Sequence, residues 1–566
     1  MPEEKSQNQL EQEKELRRRL KILQEKFEKG QIRFREGLAV KESLMAVKTG
    51  PDGEIDLGTV DGLVRALAST AAILHDREEL KKIASLDEIQ SAYFELVEPY
   101  FGPFYDHMAK KGLSPHDAGM TLKQNPQFVK GAIRDLDQVR LAIDEFWEKM
   151  GEIAHAHVED MHGNIKGVFG GDLFPAPDEN IVSKCGVYTD TIILPDPFLR
   201  SRHVFEHYPE EEHAYYLMKH GLSILQYRQI ACADIGTPIV AILPDRTALE
   251  KGEREFCTRL GEDDSLIHSE KLFGRKFESA EELSEFAQSL DTVEKAVTEI
   301  KDESRVLFDT SWREDISTQL QKALEDPDFN LQGNIKSPGE ILTMTPFGRM
   351  FVSNELLIKS RRLNGTPIIE APTSWRYLVW KMEYDALRAE RETGAHDLHV
   401  VRGLQELAGN EMEWLGNIPI DALIEIRREG AMEEIREILG KGVNDLVNSN
   451  PDNFHRSRDR VFDNIHQAFA QHQEEIKNLR EKKWKFAGKH IGSFLVKGPL
   501  EIAAAATGTP LWGLPTIAAI VADELLDMPK LKDIPQSIRD LAAETDKIHK
   551  SPVGMLFSVS KSKRKA

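Results

Sequence analysis

The sequence predicts a mainly α protein with a small inserted α/β sheet that is at least partly parallel. Three observations carry that prediction. Apolar residues recur at three- and four-residue spacing over long stretches, as in Val139, Ile143, Phe146, Met150, Ile153 and His157, the period of a helix with one buried face. Short β-branched runs interrupt the middle of the chain, at 187–194 (VYTDTIIL) and 238–243 (PIVAIL). The tetrapeptide ILPD falls at 193–196 and again at 242–245, with a helical pattern over 209–235 between the two. A strand–helix–strand order of this kind sets its strands parallel.

In chain order, 1–36 reads as a charged helix with Leu16, Leu20, Leu23 and Phe27 along one seam. The seam is shorter than three heptads, so it suits a helix docked on its own chain, with a self-association arm as the alternative. A helical domain follows over 37–165, with helices at about 59–83, 87–111 and from Pro126 to Gly163. The α/β region is 166–373, with strands near 187–194, 238–243, 305–308 and 366–370. Ser279 with Glu282, Ser311 with Glu314, and Ser337 with Glu340 have the spacing of capping boxes at helix starts. Helices return over 374–487, including an amphipathic pattern at 452–487, and 488–566 is expected to hold an apolar helical hairpin and a basic tail.

Composition narrows the function. Charged residues are 30% and apolar residues 40% of the chain, which excludes a polytopic membrane protein and wholesale disorder. The net charge of −21 argues against nucleic acid as the main partner. Three cysteines without a CxxC pair suit a reducing compartment, and the first twenty residues lack the apolar stretch of a secretory signal, so a cytoplasmic location is expected. Phosphate-loop, GxGxxG, HExxH and GxSxG signatures are absent.

Two sets of residues are candidates for chemistry. Each expected strand is followed by an acid: Asp196, Asp245, Asp309 and Glu370. Ligands of open parallel sheets bind at the carboxyl ends of the strands. Carboxylates gathered there would hold a divalent metal for hydrolysis. The alternative is ordinary turn chemistry, in which Asp bonds the backbone just downstream. His155, Glu159 and His162 fall at i, i+4 and i+7 and would share one helical face as zinc ligands; surface histidines are the alternative.

The C-terminal part is unusual. Residues 477–497 carry seven Lys or Arg and one acid, and 502–522 then run without a charge, broken by Gly508, Pro510, Gly513 and Pro515. The Gly and Pro residues favour two short apolar helices over one spanning helix. Such a hairpin buries in a core or meets a membrane interface through Lys483, Trp484, Lys485 and Trp512.

Segment 415–447, through Pro419, Leu423, Ile426, Arg427, Glu429 and Arg436, resembles a segment of large bacterial proteins of uncharacterised function. The resemblance implies a bacterial origin and a helical hairpin, and no activity. The expectation is therefore a mainly helical interaction or scaffold protein, with a protein partner or self-association. The alternatives are a metal-dependent hydrolase using the strand-end acids and a membrane-associating effector using the C-terminal hairpin.

Overall fold

The computed structural model describes residues 7–31, 40–50, 54–162, 164–170, 181–331, 333–369, 371–393, 411–439, 470–471 and 473–499. They belong to two compact units that divide between Ala84 and Ser85.

In the first unit, helix Gln7–Glu28 packs along helix Gly62–Lys81. Ala68, Ala71 and Ala72 present a small-residue face, and Leu20, Ile22 and Leu23 bury with it. Arg18 grips Asp76 with two nitrogens at 2.9 and 2.8 Å, and Lys26 meets Glu78 at 2.7 Å. Most of the Leu16–Phe27 seam is thus covered inside the unit, which agrees with a docked helix; only Phe27, at its end, is 53% exposed.

The second unit is mainly helical around a four-stranded, all-parallel sheet. Its strands are β1 (Lys166–Phe169), β2 (Thr191–Pro195), β3 (Val240–Leu243) and β4 (Thr366–Ile368), in the order β3-β2-β1-β4. The two ILPD strands are neighbours, with Ile193 opposite Ala241 and Pro195 opposite Leu243. β3 is an edge, and the buried amide of Gln90 from helix Leu86–Lys111 completes it. Gln90 Nε2 donates to the Ile242 carbonyl at 3.0 Å, and its Oε1 accepts the Ile242 N–H at 2.8 Å. A side-chain amide thereby stands in for a missing strand and satisfies buried backbone groups. β4 is the opposite edge and carries Pro367, which lacks the N–H a central strand needs.

Several expectations are corrected. β1, KGVF, was not anticipated from sequence, because four residues containing Lys and Gly do not read as a strand. The strand expected near 305–308 is instead a 3-10 turn (Glu303–Arg305) and irregular chain. Its apolar character is explained by Phe308, which packs with Trp312 and Phe329 in a helical core. The Ser311 capping box does not form; the next helix, Ile316–Glu325, starts with Asp315 as its cap. Ser337 with Glu340 does form one, and Ser279 caps its helix. Helix Pro126–Glu159 stops before Gly163, and its most buried line runs through Val139, Ile143 and Trp147 to His155 rather than to His157.

Helix Pro338–Arg362 covers β1 and β4 and packs on helix Lys251–Phe273. Helix Pro372–Thr393 joins the same layer, where fully buried Asp264 receives Asn354 at 2.7 Å, Lys381 at 3.2 Å and Arg388. Beyond it, helix Ile420–Arg428, a turn at Gly430 (φ 69°) and a helical stretch over 431–439 form the expected hairpin. Arg427 and Arg436 clamp the loop entering β2: Arg436 reaches Asp190 at 2.6 Å, and Arg427 donates to the Thr189 carbonyl at 2.8 Å. Burial lowers the Arg427 guanidinium to about 10, and Arg436 beside it adds to the effect.

The helical pattern expected to reach residue 487 ends at Glu481. Residues 485–499 are not helical as expected but form a tight β-hairpin (Lys485–Phe486 with Lys489–His490), a 3-10 turn and strand Leu495–Pro499, which pairs antiparallel with Glu411–Leu415. The apolar run at 502–522 lies outside the described residues. Among the described residues, no helix is long and apolar enough to cross a membrane.

Candidate functional site

The two ILPD strands end in the same residues and part company there. Asp196, after β2, caps the short helix Pro197–Arg200: its Oδ1 accepts the Phe198 and Leu199 N–H groups, each at 2.9 Å. Its Oδ2 accepts the Trp147 indole N–H at 2.8 Å. Asp196 is 1% exposed, and burial raises its carboxyl pKa despite these donors. It is a structural cap, out of a ligand's reach.

Asp245, after β3, stands at the cap position of the turn Arg246–Leu249, but its side chain does not cap. It swings toward helix Pro338–Arg362, where Lys359 pairs with its Oδ1. Its Oδ2 has no hydrogen-bond partner among the described residues, with Arg200 3.8 Å away. Arg200 sits on the helix that Asp196 caps, so one strand-end acid positions the cation that faces the other. The second Arg200 nitrogen lies 3.5 Å from Glu355, which also accepts from the Thr247 hydroxyl.

Asp245, Thr247, Glu355 and Lys359 line a narrow cleft at the carboxyl end of β3, together with His155, Arg246, Glu253, Cys257 and Arg362. The cleft encloses about 20 Å³, room for about one water-sized group. Its two inner carboxylates are driven apart. Desolvation works against ionised Asp245, but Lys359 and then Arg200 outweigh it and hold its pKa below the usual value. Glu355 is raised, first by burial and then by the neighbouring charge of Asp245. Burial also pushes the Cys257 thiol up to about 12, with Glu355 and Glu253 adding to it, so it is a poor nucleophile. The remaining charges pair across the walls: Arg362 with Glu253, and Arg246 with Glu159 at 3.4 Å and Glu250 at 3.0 Å.

The three strand-end acids among the described residues are not assembled into one centre. Asp309 belongs to a turn, its Oδ1 accepting the Ser311 N–H at 2.7 Å, while the neighbouring Thr310 bonds Thr373 beside β4. β3 and β4 are opposite edges of the sheet, three strand spacings or about 14 Å apart, whereas paired catalytic metals are about 4 Å apart. Glu370 lies outside the described residues.

The expected zinc face does not assemble either. The helix ends at Glu159, so His162 follows in a turn and leaves the shared face. Glu159 is engaged with Arg246, and His155 lines the cleft instead. Among the described residues, no three His, Cys, Asp or Glu side chains form a group able to hold a metal ion.

Of the proposed membrane contacts, Lys483 and Lys485 are exposed and Trp484 is half-buried beneath Lys482, 5.2 Å from its ring. Trp512 lies outside the described residues.

Sequence reasoning found Asp245 and His155 but assigned them to different sites. It missed Arg200, Glu355 and Lys359. The last two are one helical turn apart, a spacing visible in the sequence but too common on helices to single out. Comparison of the chain with protein-family models, with curated proteins and with solved structures gave no match.

Proposed function

We propose that the chain is a mainly helical binding protein that admits one hydroxyl or amide group of a polar ligand to the cleft at the carboxyl end of β3. The observation that carries this reading is the Asp245 Oδ2 atom, a buried acceptor on the cleft wall without a hydrogen-bond partner among the described residues. Leaving such an atom unsatisfied costs about 1–3 kcal/mol, which a ligand donor offsets. The surrounding cations and anions already pair with one another. A third cation at Asp245 would be repelled by Lys359 and Arg200, and an anion would meet Asp245 and Glu253. The cleft therefore suits a neutral donor, a hydroxyl or an amide N–H.

The test is thermal melting of the full chain with a panel of neutral polyols and amides, repeated with Asp245→Asn. A compound that raises the wild-type melting temperature and loses that effect in the variant supports the reading. No shift with any compound, or an identical shift in the variant, overturns it.

A further inference from the structure

Lys482, Lys483, Lys485, Lys489 and His490 crowd one short stretch, and residues 482–497 contain no acid. The structure makes this stretch a fixed surface. Ala487 and Gly488 both have positive φ (48° and 74°), the geometry of a tight two-residue hairpin turn. Lys485 faces His490 across the hairpin, and Phe486 is buried beneath it as an anchor. Lys483, Lys485, Lys489 and His490 are exposed. The neighbouring bases behave differently: Arg480 pairs with Glu413, Lys477 with Glu474, and Lys482 lies 3.9 Å from Glu434. Lys483, Lys485 and Lys489 have no ion-pair partner among the described residues.

We infer that this hairpin is a docking surface for an anionic lipid bilayer. A chain of net charge −21 is repelled by an anionic surface at long range, but screening limits that repulsion to about 8 Å at physiological salt, and the hairpin projects cations within that distance. Lipid is favoured over a nucleic acid by what adjoins the hairpin. Trp484 carries a half-buried indole at its base. An indole gains from the bilayer interface and gains little from the phosphodiester backbone of a duplex. The surface is separate from the β3 cleft and does not depend on the reading of that cleft.

The experiment is flotation of the full chain with vesicles of phosphatidylcholine alone and with vesicles containing phosphatidylglycerol, at low and high salt. Each lysine near an anionic surface contributes about fivefold to partitioning. Lys483→Gln/Lys485→Gln/Lys489→Gln should therefore lose about a hundredfold. A control removing equal charge elsewhere, Lys251→Gln/Lys276→Gln/Lys295→Gln, should lose little. Circular dichroism confirms that both variants fold. Salt-sensitive binding to the anionic vesicles alone, weakened only by the hairpin variant, supports the inference. Absence of binding, equal binding to both vesicle types, or equal loss in both variants overturns it. Tighter, hairpin-dependent binding to a duplex DNA probe would assign the surface to nucleic acid instead.

Discussion

Replacing Lys359 by Met removes the ammonium that faces Asp245 and keeps the aliphatic stem in the cleft wall. The Asp245 side chain is 4% exposed and that of Lys359 12%, so the loss falls on a pair shielded from water. Two unit charges about 4 Å apart attract by about 4 kcal/mol at an effective dielectric constant near 20. Removing one partner of such a pair costs about 3–5 kcal/mol, because the other charge stays buried. Arg200 remains at 3.8 Å but is shared with Glu355, which places the expected cost at the low end, about 3 kcal/mol. Asp245→Asn should be similarly harmful, and the double variant should lose less than the sum of the two by about 2 kcal/mol. Urea unfolding of the four proteins measures this coupling. The sign with pH is a second check. In the wild type the Asp245 pKa is depressed, so its contribution is present above the ordinary value of 3.8 and is lost as pH falls through the lower folded value. Without Lys359, desolvation dominates and raises the folded pKa. The deficit of the variant is then full at neutral pH and shrinks as pH falls through that raised value toward 3.8. An additive double variant, a cost below about 0.5 kcal/mol, or a deficit that does not change with pH would refute the assigned pairing.

Three further outcomes are expected. Glu355 has a raised pKa, so its stabilising state is the protonated one, present below 4.5 and lost as pH rises through the folded value; Glu355→Gln should abolish that loss, and a variant less stable than wild type at neutral pH would contradict it. Gln90→Leu leaves the Ile242 N–H and C=O buried without partners, at a cost of about 2–4 kcal/mol, and amide exchange at Ile242 should accelerate while β1 amides change far less. Gly221→Ala drives a methyl to 2.2 Å from the Phe101 ring, so the ring or helix Glu210–Gln226 must shift, and a loss of about 1–3 kcal/mol is expected; melting within a degree of wild type would show that the ring moves aside freely.

The long helices and three of the four strands of the parallel sheet were legible because their signal is local. A buried helix face repeats at the helical period, and a β-branched run that stops at proline reads as a strand without any partner in view. The helical hairpin of 420–439 was expected from the resemblance carried by 415–447. Residues 305–308 misled because an apolar triplet looks the same whether it enters a sheet or fills a helical core. β1 was hidden because a central strand draws its stability from the ladders on both sides, and so tolerates Lys166 and Gly167, with Lys166 buried and donating to the Val158 carbonyl at 2.9 Å.

The repeated ILPD marks the boundary between the two kinds of information. Both copies state in sequence that a strand ends and an acid follows, and both strands end where expected. Only the folded chain separates the two acids. Asp196 meets free amide N–H groups and the Trp147 indole and becomes a cap. Asp245 meets Lys359, contributed by a helix more than a hundred residues away, and becomes the wall of a cleft. Strand endings follow from neighbouring residues along the chain, whereas the role of a buried carboxylate follows from which cations and donors surround it, and those come from elements remote in sequence.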